Sequence, residues 1–330
     1  MNIAILGNGE WATALASVFA YNDHKVTLIG RDEKAFDYEK NINIRYFPDI
    51  VLSKNISYST SLSDSIKNCE AILFCVPSHA YRNKAKEVAS LLDHEVIVLS
   101  AAKGFDPLTF DPLMDVLREE IPSKYLKGVV SLVGPSFARE VIHNKITTIS
   151  AVSKDNEISK YIQKELSTPY FRIYTNEDEI GCQVASALKN VIAIAGGAIY
   201  GLGEGENAKA GLVTRGLQEG IRLGICLGGK AETFFGLTGI GDLLLTCSSM
   251  QSRNYSLGYE IGKCDNAKVV LERNNKTVEG VLTCKLVHSL ALQHNIDMPI
   301  VTAVYRVLYD NIAPSVCIKE TMSRSLKSEH

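Results

Sequence analysis

Residues 2–14, Asn2-Ile3-Ala4-Ile5-Leu6-Gly7-Asn8-Gly9-Glu10-Trp11-Ala12-Thr13-Ala14, decide the fold. A short apolar run enters Gly7, and a helical pattern leaves Ala12. Between them stands G-x-G-x-x-A, in the strand–turn–helix context that a dinucleotide-binding turn requires. Gly7 permits the tight turn. Gly9 lets a pyrophosphate approach the backbone. Ala12 still allows the helix to pack on the strand, and the helix N-terminus favours negative charge.

Working outward, apolar runs recur at residues 25–29, 71–76 (AILFCV), 95–100 (EVIVLS), 129–133 (VVSLV), 146–152 and 170–174. They are five to seven residues long and rich in Val, Ile and Leu, so they read as strands covered on both faces. Helical patterns lie between them, at 13–21, 80–92, 108–120, 137–144 and 156–166. This alternation predicts an α/β domain, a Rossmann-type, mainly parallel sheet over residues 1–176. Strand-like runs then stop. Val184, Leu188, Val191, Ala195 and Ile199 recur at helical spacing, as do Val213, Leu217, Ile221 and Ile225. Residues 278–293 and 300–309 read as helices too. An all-α C-terminal domain is expected over 177–330.

Composition narrows the function classes. The 330 residues carry 35 Lys+Arg against 37 Asp+Glu, a net charge of −2. No basic surplus exists for coating nucleic acid or an anionic membrane. No apolar run reaches the ~20 residues of a bilayer span, and the N-terminus lacks the pattern of a signal peptide. A cytoplasmic protein is expected. The eight cysteines include no C-x-x-C, so no metal site is expected and they read as scattered thiols of a reducing compartment.

Candidate ligand-binding residues cluster where strands end. After the second strand comes Gly30-Arg31-Asp32. An acid at this tip holds the ribose 2′-OH of NAD, and an arginine accommodates the 2′-phosphate of NADP. Arg31 favours NADP(H), with dual use open; a solvated loop cation is the plain alternative. Lys103 and Gly134-Pro135-Ser136 follow later strands. In the helical half, Lys189 and Asn190 interrupt an otherwise apolar helix. A lysine desolvated there would suit acid–base work, whereas a snorkelling lysine would do none. Asp242 stands among glycines and aliphatic residues as a site carboxylate or a helix cap. Ser252 resembles an N-cap, and Arg253 behind it would make a phosphate receptor or an ordinary surface residue.

The ordered set resembles the bacterial-type NAD(P)-dependent glycerol-3-phosphate dehydrogenases. The matching pieces are residues 7–14 (GNGEWATA), 101–104 (AAKG), 134–141 (GPSFAREV), 188–193 (LKNVIA), 201–207 (GLGEGEN), 214–216 (TRG), 239–246 (GIGDLLLT), 251–254 (QSRN) and 278–280 (VEG). The resemblance implies reversible reduction of dihydroxyacetone phosphate to sn-glycerol 3-phosphate for phospholipid synthesis, by a homodimer. It implies Lys189 as proton donor and acceptor, with Lys103 and Asp242 beside it. Gly134, Ser136, Ser252, Arg253 and Asn254 would line the substrate site. Glu10, Trp11, Arg31, Lys103, Ala138, Arg253, Val278 and Glu279 would contact the cofactor. A carboxylate at Glu10 would repel a pyrophosphate, so its side chain is expected to point away. A β-hydroxyacid dehydrogenase of similar plan, or a non-catalytic nicotinamide sensor, would share the two-domain arrangement.

Overall fold

The computed structural model describes residues 1–274, 278–326 and 328–329. Two units pack separately, Met1–Glu179 and Ile180–His330.

In the first unit, strands β1 (Asn2–Leu6), β2 (Lys25–Ile29), β3 (Ile56–Ser59), β4 (Ala71–Phe74), β5 (Val96–Ser100), β6 (Leu126–Val133), β7 (Thr147–Val152) and β8 (Phe171–Asn176) form one sheet. Its order is β8-β7-β6-β5-β4-β1-β2-β3. Strands β1 to β6 run parallel in the 3-2-1-4-5-6 order of a dinucleotide-binding fold. β7 is antiparallel to β6 and parallel to β8. Successive side chains point to opposite faces. Ile3 and Ile5 therefore enter one core layer with α1 (Glu10–Tyr21), α5 (Ala138–Ile142) and α6 (Asn156–Leu166). Ala4 and Leu6 enter the other, with α2 (Leu62–Ile66), α3 (Tyr81–Leu91) and α4 (Leu113–Glu120).

Three expectations about elements are corrected. The edge strand β3 was not foreseen, because Ile-Ser-Tyr-Ser is half polar. Nor was the small ladder of Phe36–Asp37 with Ile42–Asn43. The helix expected from residue 108 begins only at Leu113. Asp106 Oδ1 accepts from the amides of Leu108 at 2.8 Å and Thr109 at 3.3 Å, closing a turn instead. Phe110 then takes φ 64°, and Pro112 disfavours helical backbone at Asp111.

The described residues of the second unit form helices: α7 (Glu179–Gly201), α8 (Glu206–Cys226), α9 (Ala231–Phe234), α10 (Asp242–Cys247), α11 (Arg253–Cys264), α12 (Ala267–Arg273), α13 (Glu279–Gln293), α14 (Pro299–Tyr309) and α15 (Pro314–Met322). Their starts follow ordinary capping rules: Ser252 and Asn266 cap by side chain, and Pro299 and Pro314 open helices where no amide is needed. Helix α7 is long and apolar enough to cross a membrane, but 94% of its most apolar window is buried inside the protein. It is a core helix packed on protein.

Candidate active site

The first group of candidate residues gathers at the carboxyl edge of the sheet. Gly7 ends β1 with φ 121°, and a Cβ there would meet Cys75 O at 2.5 Å. Gly9 is different: a Cβ there would meet no atom within 4 Å. Its side faces open space beside the N-terminus of α1, which has no side-chain cap. An uncapped helix start with bare backbone in front of it fits the pyrophosphate of a dinucleotide. Trp11 is half-buried against the core. Glu10 lies in the first turn, and Arg139 Nη2 of α5 reaches its Oε1 at 3.4 Å. Its charge is thus drawn toward Arg139. Ala138 opens α5, which packs against α1.

Arg31 is exposed two residues beyond β2. The neighbouring Asp32 spends its Oδ1 on the amide of Lys34, at 3.0 Å. Lys103 is half-buried three residues beyond β5. The phenol of the fully buried Tyr81 accepts from Ala102 N at 3.1 Å and donates to Phe74 O at 2.8 Å, tying this turn to the end of β4. Gly134 is buried directly after β6, and Ser136 Oγ donates to Gly134 O at 3.1 Å.

The second group belongs to the helical unit. Lys189 Nζ and Asp242 Oδ1 form an ion pair, and both side chains are at most 5% exposed. Gly241, not Asp242, is the cap residue of α10, so this carboxylate serves the lysine rather than the helix start. A charge buried this far from water is tolerable only when paired. Thr246 Oγ1 donates to Asp242 O at 2.6 Å, one turn on. Cys247 lies nearby, and burial pushes its thiol up to about 12, which keeps it protonated.

Ser252 caps α11, its Oγ accepting from Tyr255 N at 3.3 Å. Arg253 stands exposed at the first helical position. Asn254 is buried: its Nδ2 donates to Asn190 Oδ1 at 2.9 Å, and its Oδ1 accepts from Gly280 N at 2.9 Å. One amide therefore joins the Lys189 helix, the start of α11 and the start of α13, where Val278 is the cap residue and Glu279 the first helical residue. Sequence reading missed Asn190 as Asn254's partner. The adjacency Lys189-Asn190 was visible, but its mate stands 64 residues away.

The model of the NAD-dependent glycerol-3-phosphate dehydrogenase N-terminus matches residues 2–159, and that of the C-terminus matches 178–319. The chain belongs to this family. It is 43% identical to glycerol-3-phosphate dehydrogenase [NAD(P)+] of Streptococcus thermophilus, over 99% of this chain and 97% of that one. Among solved structures, glycerol-3-phosphate dehydrogenase from Coxiella burnetii superposes with TM-score 0.90 at 35% identity, covering 98% of each chain. The Saccharomyces cerevisiae enzyme gives 0.83 at 25%, covering 98% of this chain and 99% of that one. A glycerol-3-phosphate dehydrogenase family member uses NAD or NADP, as the streptococcal name states for that relative.

Proposed function

We propose that the chain is an oxidoreductase that reversibly reduces dihydroxyacetone phosphate to sn-glycerol 3-phosphate, the backbone of glycerophospholipids. The buried Lys189–Asp242 pair carries this reading. Family membership over nearly the full chain supports it.

Residues 7–12 would hold the dinucleotide by its pyrophosphate, with Arg31 near the adenosine ribose and Ala138, Val278 and Glu279 as further contacts. When bound, the nicotinamide supplies or removes the hydride at the secondary carbon. Lys189 stabilises the negative charge that grows on the substrate oxygen and delivers its proton. Asp242 orients the ammonium, and Lys103 adds positive field. Arg253, the amides at the start of α11 and the Ser252 cap receive the phosphate dianion, with Asn254 holding that start in place. Gly134 and Ser136 border the substrate. Phosphate binding holds a small molecule in reacting geometry.

NADPH is the preferred cofactor in this reading. Arg31 is exposed two residues beyond β2, and Asp32 is turned to its own turn amide; an arginine after this strand suits a 2′-phosphate. The enzyme acts as a cytoplasmic homodimer, which light scattering on the purified protein checks.

The deciding experiment follows NADPH and NADH oxidation with dihydroxyacetone phosphate, beside a panel of hydroxyacids and their ketoacids. Turnover only with the ketose phosphate is expected. Absence of turnover overturns the proposal, and turnover of a hydroxyacid replaces it with the rival reading. Equal kcat/KM for the two cofactors would remove the role of Arg31.

A further inference from the structure

The glycine turn is held from outside by a residue the motif does not contain. Asn43 ends the small two-stranded ladder and is 1% exposed. Its Nδ2 donates to Asn8 O at 2.9 Å and to Thr13 Oγ1 at 2.8 Å. Thr13 Oγ1 donates in turn to Gly9 O at 2.9 Å. The Asn43 Oδ1 is buried and accepts from no group among the described residues. Leaving a buried acceptor unmade is unfavourable. The side chain is held here by its two donated hydrogen bonds, both to the glycine turn and the first turn of α1, despite that unmade acceptor.

The geometry supplies the account. All peptides here are trans, so each C=O and its N–H point to opposite sides. Drawing Asn8 C=O onto Asn43 turns the Gly9 N–H the other way. Beside that amide, Gly9 has open space where a Cβ would be, and α1 begins there without a side-chain cap. We propose that Asn43 is the positioning residue of the dinucleotide turn, fixing the Asn8–Gly9 peptide so that the Gly9 amide and the first turn of α1 face the pyrophosphate. This rests on the reading of residues 7–12 as a dinucleotide site.

Trp11, the single tryptophan, stands two residues beyond Gly9, and its fluorescence reports occupancy. Wild type, Asn43→Leu and Asn43→Ala are titrated with NADH, NADPH and ADP-ribose, which keeps the pyrophosphate and lacks the nicotinamide. Both variants are expected to bind all three about ten-fold more weakly, the worth of one well-aligned hydrogen bond. In turnover, KM for the dinucleotide rises by the same factor, and kcat at saturation stays within about two-fold. A purely structural role would lower the melting temperature and leave Kd unchanged. That result in either variant overturns the inference. If wild type itself binds none of the three probes, the dinucleotide reading falls and this inference falls with it.

Discussion

Lys189 and Arg253 make opposite demands on their surroundings. Lys189 is buried with Asp242, whereas Arg253 is exposed at a helix start. Lys189→Ala is expected to lower kcat by roughly 10²–10⁴. It also takes the ion-pair partner from the buried Asp242, at a cost of about 3–5 kcal/mol. The two effects are separable: Lys189→Met combined with Asp242→Asn recovers the melting temperature but not the turnover. Near-normal kcat in Lys189→Ala would refute its acid–base role. Arg253→Ala strands no buried partner among the described residues. It should raise KM for the phosphate substrate and lower kcat/KM, with the melting temperature within about a degree of wild type. Lys189 and Asp242 were legible because each breaks its local pattern: a cation in an apolar helix, a carboxylate among glycines. Asn43 was not, because nothing in its neighbourhood distinguishes it, and its partners Asn8 and Thr13 lie 35 and 30 residues back.

Helices α7 and α11 carry Lys189 and Arg253, and their backbones touch. A Cβ on Gly197 would meet Tyr255 O at 2.0 Å, and one on Gly258 would meet Ile194 O at 2.0 Å. Gly201 and Gly262 repeat the arrangement one turn on, against Tyr259 O and Ala198 O. Only glycine allows so close an approach at these positions, and no flexible side chain is available to move aside. Gly258→Ala is therefore expected to destabilise the protein by about 1–3 kcal/mol, despite alanine's better helix propensity. It should also raise KM for the phosphate substrate, since the start of α11 must shift from Asn190. A melting curve and substrate kinetics check both, and an unchanged melting temperature would contradict the packing. The sequence displayed these glycines without their partners: period and apolarity predicted the helices, whereas the pairing of G-x-x-x-G in one helix with G-x-x-x-G in another is a three-dimensional fact. Edge strand β3 escaped for a related reason. Its polar half faces away from the core, so alternation alone was too weak to mark it.

At the scale of the whole chain, alternation was enough to predict a parallel sheet followed by helices. It did not predict the order of the strands or the reversed direction of β7 and β8, because these depend on pairings between distant segments. The same distance dependence governs how the helical unit responds to pH. Glu219 of α8 is 1% exposed, and its carboxyl oxygens accept from the amides of Ile300 at 2.7 Å and Val301 at 3.1 Å, at the start of α14. Burial pushes its pKa up to about 7, against the downward pull of those two amides. An acid whose pKa is raised on folding binds its proton more tightly in the native state, so its contribution is complete below about pH 4.5 and is lost as pH rises through about 7. The difference amounts to about 3 kcal/mol. The melting temperature of the wild type should thus fall by roughly 5–10 °C between pH 5 and pH 8. His94, raised by its hydrogen bond to Asp93, titrates in the same direction in the first unit. The decisive quantity is therefore the difference in slope between wild type and Glu219→Gln, which cannot ionise. Whatever its absolute melting temperature, the glutamine variant should lose most of the pH dependence, and parallel slopes would show that Glu219 stays ionised in its buried cap.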